Sequence, residues 1–358
     1  MRNKSPEVTS NNNVQLLLDG NETYSVIKEV LSSAQRNINL EYFLICSDKT
    51  GNSIKDILIE RSLAGVDVRV IYDAVGSWRL GRNFVSDLKN AGVHVKAFMP
   101  LTLKNIRRGI IHRDHRKIIT ADGHTGLLGG FNLGDVYLRQ WRDTHLMING
   151  EAVGVLDGIF SEMWGDLYEP EYFPVGNTPV KIVASGKGKD FRAVADEYIR
   201  IISRANNRVW ITTPYLVPDK KFLEALYTAS KRGVDVRIII PSHSNHIVVS
   251  WASQSYIDDL IRNGVKIFVY GERFVHAKTL IIDKNIASVG TANLDTLSFS
   301  VNYEVQAFIY SAEIVKELEG VFMKDLEHCT EELQETRKNR PLIHRIKEKA
   351  GRLLSPLL

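Results

Sequence analysis

The chain contains an internal repeat, and this constrains its fold more than any other feature. Gly65-Val66-Asp67-Val68-Arg69-Val70-Ile71 recurs as Gly233-Val234-Asp235-Val236-Arg237-Ile238-Ile239. Each copy follows a helix-like segment, residues 54–64 and 221–232, and each reads as a buried strand. Downstream, residues 84–91 and 256–263 are amphipathic, and each ends at a Gly-Val, where Gly92 and Gly264 suit helix C-caps. A further strand follows in each half, residues 94–98 and 266–270, and residues 37–45 and 208–213 read as opening strands. This alternation predicts an α/β fold built from two copies of one unit. The units span residues 14–177 and 178–331, with a turn-rich junction at Gly176-Asn177-Thr178-Pro179. A polar segment, 1–13, precedes them, and a tail, 332–358, follows.

Composition narrows the class. Of 358 residues, 44% are hydrophobic and 25% charged, which supports a folded core and excludes global disorder. Two cysteines, Cys46 and Cys329, cannot build a disulfide framework or a cysteine zinc site, and they fit a reducing compartment. No apolar run is long enough for a membrane span, and the polar start has no signal-peptide core. A net charge of +4, without a basic stripe interleaved with aromatics, argues against nucleic acid as a partner.

The third strand of each half is expected to carry His-x-Lys-x4-Asp: His115, Lys117 and Asp122, then His276, Lys278 and Asp283. Seventeen residues after each His stands an Asn (Asn132, Asn293), and twenty-eight after it a carboxylate (Asp143, Glu304). The two sets align without a gap. On a strand, residues i and i+2 share a face, so each His and Lys should point together.

These residues resemble the phospholipase D superfamily, whose signature is two His-Lys-Asp motifs on one chain. More narrowly, the chain is similar to the bacterial cardiolipin synthases. The narrower match rests on His115-Arg116-Lys117-Ile118-Ile119, Gly129-Gly130-Phe131-Asn132-Leu133-Gly134-Asp135 and Trp141-Arg142-Asp143-Thr144-His145. In the second half it rests on Thr213-Pro214-Tyr215-Leu216-Val217-Pro218 and Gly290-Thr291-Ala292-Asn293-Leu294-Asp295. The resemblance implies two phospholipase D-like units packed face to face, with the active site at their interface. Two features depart from the family pattern. Leu297 stands where many members carry Arg, which bears on head-group contacts, and the membrane-spanning helices with which many members begin are missing. The second departure points to a shorter branch or a removed anchor.

The chemistry these residues suit is attack on a phosphodiester without metal or cofactor. One imidazole attacks phosphorus while the other protonates the leaving alkoxide. The resemblance implies that His115 becomes the phosphohistidine and His276 the acid, then the base; the symmetry of the sequence leaves the choice open. Lys117, Lys278, Asn132 and Asn293 would surround the non-bridging oxygens. Asp143 and Glu304 would hold the second ring nitrogens of the histidines. Asp122 and Asp283 belong to the catalytic motif, yet they lie an odd number of residues from their His. They should therefore point away and pin neighbouring backbone or basic side chains. The resemblance implies two phosphatidylglycerols giving cardiolipin and glycerol; hydrolysis to phosphatidic acid uses the same motif chemistry. A nuclease or phosphodiesterase of the superfamily and a lipid-binding tether with a relic site are lesser alternatives.

Lys104, Arg107, Arg108, Arg113 and Arg116 form either a basic rim for anionic lipid or a solvated loop. Residues 337–358 hold seven basic residues and one acid, Glu348, with Ile343, Ile346, Ala350, Leu353 and Leu357 at helical spacing. That suits peripheral contact with an anionic membrane surface, here the cytoplasmic face of a bacterial cell membrane, against the alternative of a helix docked on the body. His112, His124 and His145 lack a paired metal-ligand spacing, His243 and His246 stand three apart in a polar loop, and neither group makes a metal site. Trp78, Trp141, Trp210 and Trp251 read as core or pocket wall, and Cys46 as core.

Overall fold

The computed structural model describes residues 8–100, 102, 112–167, 169–186, 189–244 and 246–355. The two halves each build a mixed sheet. The first has seven strands in the spatial order Asn12–Leu17, His145–Gly150, Thr125–Gly129, Lys117–Ala121, Asn37–Tyr42, Asp67–Asp73 and His94–Phe98. The second has nine: Val8–Thr9, Val180–Ala184, Val305–Ile309, Ile286–Gly290, Thr279–Ile282, Arg208–Thr212, Asp235–Pro241, Lys266–Tyr270 and Cys329–Glu331. In each, the repeated strand lies parallel to both neighbours, as crossover helices require. The motif strands then add antiparallel to the opening strands.

Period-two alternation sorts each strand between two cores. Ile38, Leu40, Ile119 and Leu127 pack outward, in one core with Ile27 and Leu31 of the helix Gly20–Ser33 and Ile54 and Leu58 of the helix Lys49–Leu63. Val209, Ile211, Ile238 and Leu280 do the same in the second half, with Leu226 of the helix Lys220–Lys231. The intervening residues, Ile118, Leu128, Leu146 and Ile148 from one sheet and Ile239, Ile281, Val289 and Val305 from the other, share a single core between the halves. Residues buried on both faces explain why these strands read as continuous apolar runs rather than alternating ones.

Two boundaries differ from expectation. Val8–Thr9, within the polar lead, pairs with Val180–Lys181 of the second sheet, so the chain crosses between halves before residue 14. The motif histidines are not in strands. The first strand begins at Lys117, and the second at Thr279, beyond Lys278. His115 and His276 instead lie in irregular chain just before the strands, and their backbone N–H groups bond the opposite half.

Candidate active site

Each histidine is held by the other half. The backbone N–H of His115 donates to the Tyr303 carbonyl at 2.9 Å, and its Nδ1 lies 3.0 and 3.1 Å from the carboxylate oxygens of Glu304. In the same way, His276 N–H donates to the Arg142 carbonyl at 2.7 Å, and its Nδ1 lies 2.6 Å from Asp143. Two consecutive residues from one half thus fix both the backbone and the ring of the other half's histidine. The short parallel pair Phe274–Val275 with Trp141–Arg142, and the bridge from Asp114 to Tyr303, are the main-chain form of this exchange. With Nδ1–H given to a carboxylate, each ring keeps its Nε2 lone pair for chemistry.

Charges in the site are buried and mutually dependent. Burial pushes the His276 pKa down to about 3, with the Lys278 ammonium adding to the effect and Asp143 opposing it. Burial likewise lowers His115, against the pull of Glu304. It brings Lys117 down to about 8 and Lys278 to about 7, despite Glu304 and Asp143 nearby. Burial alone would raise both carboxylates. Lys278 and His276 hold Asp143 below its ordinary value, and His115 and Lys117 do the same for Glu304. Lys117 and Lys278 each donate to the carbonyl of their own motif histidine, which bends the ammonium back toward that residue.

Asn132 and Asn293 are buried, and neither has a hydrogen-bond partner at Oδ1. Aromatic rings wall the histidines. Phe43 meets His115 edge-on at 4.9 Å, and Trp141 lies 4.7 Å from His276, with Tyr137 and Phe274 beyond. Among the described residues no group of three His, Cys, Asp or Glu side chains is placed to hold a metal ion.

Asp122 and Asp283 do not join this constellation, which corrects their place in the catalytic set. Asp122 accepts from the backbone N–H groups of Gln35, Arg36 and Asn37. Asp283 accepts from those of Asn206, Asn207 and Arg208. Each sits at positive φ in the hairpin after its motif strand and ties that turn to the start of the opening strand.

Other expectations also change. Lys104, Arg107 and Arg108 lie outside the described residues. Arg116 is not on a rim: it is fully buried, pairs with Glu41 at 3.3 Å, and donates to the carbonyls of Ser185 and Glu304 across the interface. Trp78 is largely exposed rather than core, and Cys46 is only half-buried. Trp210 is core, stacked on Phe322, and Trp141 is pocket wall.

Sequence reasoning missed several supports. Thr291 and Ser298 donate hydroxyls to Glu304 at 2.5 and 2.8 Å. Arg142 forms a buried two-point pair with Asp325, and it donates to the Asp143 carbonyl. The gap-free alignment held the signal for the two backbone carbonyls, since Arg142 and Tyr303 stand at the same offset, one residue before each carboxylate.

The comparisons agree with this geometry. The sequence family described as "Cardiolipin synthase, PLD-like domain" matches residues 27–164 and 198–326, one stretch in each half. The major cardiolipin synthase ClsA of Bacillus subtilis (strain 168) is 40% identical over 98% of this chain and 76% of its own length. A cardiolipin synthase of Geobacillus sp. (strain WCH70) is 41% identical over 99% of this chain and 74% of its own. Among solved structures, phosphatidylserine synthase of Haemophilus influenzae Rd KW20 shares the fold. Its TM-score is 0.77 at 15% identity, over 96% of this chain and 95% of that one. With two family matches, each containing a motif, and near-complete alignment to such relatives, the chain belongs to the cardiolipin synthase family of phospholipase D-like proteins.

Proposed function

We propose that the protein joins two phosphatidylglycerols into cardiolipin, releasing glycerol. The observation that carries this is the pair of neutral imidazoles, each oriented by a carboxylate from the opposite half, within a cage of two buried lysines and two buried asparagines. In the first step His115 Nε2 attacks phosphorus and the bond to the glycerol oxygen breaks. His276 gives that oxygen its proton. In the second step His276 takes the proton from a hydroxyl of the second phosphatidylglycerol. The resulting alkoxide attacks phosphorus, the phosphorus–nitrogen bond breaks, and His115 is restored.

Lys117, Lys278 and the asparagine amides stabilise the charge on the non-bridging oxygens. A bound phosphodiester anion raises the proton affinity of both histidines and both lysines. His276 then takes from solvent the proton it must carry as an acid. The enzyme works peripherally at the cytoplasmic face of the cell membrane, seated through its C-terminal tail. Among the described residues no helix is long and apolar enough to cross a bilayer.

The test is product analysis from phosphatidylglycerol vesicles without added metal. Cardiolipin and glycerol in equal amounts are expected. Phosphatidic acid as sole lipid product would replace the transferase with a phospholipase D.

A further inference from the structure

The C-terminal helix, Leu342–Leu354, is docked with its amphipathic pattern reversed. Its contact with the body is a narrow seam of Glu348, Gly351, Arg352 and Ser355. Gly351 lies so close to the helix Ile247–Arg262 that a Cβ there would fall 2.4 Å from the Ala252 nitrogen. Ser355 bonds the Tyr256 hydroxyl at 3.0 Å, and the Arg352 guanidinium lies over the Tyr256 ring. Glu348, the helix's one acid, turns inward, where Arg340 meets it at 2.6 Å and Arg337 at 3.5 Å. Those arginines also pair with Asp258, which fastens the tail to the second half.

At about 100° per residue, Leu342, Leu353, Ile346, Ile343 and Leu354 fall within an arc of about 120°, centred about 170° from the docking seam. They are between 40% and 81% exposed. Arg345 and Lys349 flank this arc on one side, and Lys347 on the other. All three are exposed. A helix that buries its acid and its glycine while turning five large apolar side chains to solvent is held against the hydrophobic effect unless something covers them. Cations bordering both sides of the arc match an anionic surface, into which the apolar side chains can sink while the cations stay at head-group level.

We infer that this outward face is a docking surface for an anionic lipid bilayer. The helix lies in the interface plane, and the Arg337–Arg340–Glu348 latch transmits its orientation to the catalytic body. This deepens the membrane reading above, and it is testable apart from turnover.

The probe is co-sedimentation of the full chain with phosphatidylcholine vesicles, with and without phosphatidylserine, an anionic lipid that is not the proposed substrate. Wild type should bind the mixed vesicles and bind pure phosphatidylcholine weakly. The triple variant Ile343→Ser, Ile346→Ser, Leu353→Ser should lose at least about tenfold in partitioning. It should keep its melting temperature and its turnover of dispersed short-chain phosphatidylglycerol. Lys347→Glu with Lys349→Glu should weaken only the anionic component of binding. His115→Ala should bind as wild type does, so a failed function and a failed docking surface give different results. Equal binding by wild type and the triple variant would overturn the inference. So would a wild-type dimer, seen by light scattering, that the triple variant breaks without any vesicle binding by either form.

Discussion

The two histidines occupy equivalent places in the repeat, but the groups that hold them are built differently. On the second half's side, the longer carboxylate, Glu304, reaches His115 and is braced by the hydroxyls of Thr291 and Ser298. On the first half's side, the shorter Asp143 sits close to the backbone, accepting from Thr144 N–H at 2.8 Å. The residue matching Thr291 there is Gly130, and a Cβ on it would lie 1.9 Å from Asp143 Oδ1. The same contrast appears two residues after each carboxylate. Gln306 bonds Ser288 at 2.9 Å, whereas neither ring nitrogen of His145 has a hydrogen-bond partner. One side is positioned by hydroxyl braces and the other by a backbone N–H and the room left at Gly130. A symmetric pair of imidazoles can acquire distinct roles this way, because each environment sets its own proton affinity.

The largest expected effect tests whether both histidines are needed. His115→Ala and His276→Ala should each lower kcat by at least about 1,000-fold. Acid-quenched labelling should trap phosphate on one imidazole only, and trapping on His276 would invert the roles assigned above. Next comes the contrast in positioning. Gly130→Ala must displace Asp143 and should cost about 100-fold in kcat, whereas Thr291→Ala removes one of two hydroxyl braces and should cost about tenfold. Steady-state kinetics on both variants decides this, and equal losses would erase the proposed asymmetry.

The pH profile probes the lysines. Phosphate binding needs their charged forms, which are lost as pH rises through about 7 for Lys278 and about 8 for Lys117. kcat/KM should therefore fall above neutrality. The limb in kcat should lie at higher pH, since bound phosphate favours the ammonium forms. Coincident limbs would remove the lysines as the source. The smallest catalytic effect is expected from Asp122→Asn and Asp283→Asn. Each should keep kcat within about twofold while losing about 1–3 kcal/mol of stability, measured by urea unfolding, because an amide cannot accept all three backbone N–H groups.

Much of the fold was legible because its determinants are local. The strands His94–Phe98 and Lys266–Tyr270 fall where the sequence places them, and Gly92 and Gly264 take positive φ at helix ends as C-caps do. Asp122 and Asp283 bond backbone rather than the site, but parity along a strand did not place them: both sit at positive φ in the turns beyond the motif strands. The strand placement of His115 and His276 did not hold, because the chain there pairs with residues nearly 190 and 133 positions away, which no local pattern records. Arg116 looked like surface charge for a similar reason: Glu41 and the carbonyls that bury it come from other segments. The tail's amphipathicity was visible in the sequence, but not which side would face the body.

The sequence by itself determined the duplication, the α/β class and the chemical inventory of the site: two histidines, two lysines, two amides and two carboxylates at matched offsets. Those properties reside in residue type and spacing. Tertiary structure decided the pairing. Either carboxylate could have served either histidine by offset alone. Only the docking of the two sheets around a shared apolar core gives Glu304 to His115 and Asp143 to His276. The same docking removes water from all eight groups, and burial, more than any single neighbour, sets the proton affinities of the histidines and lysines.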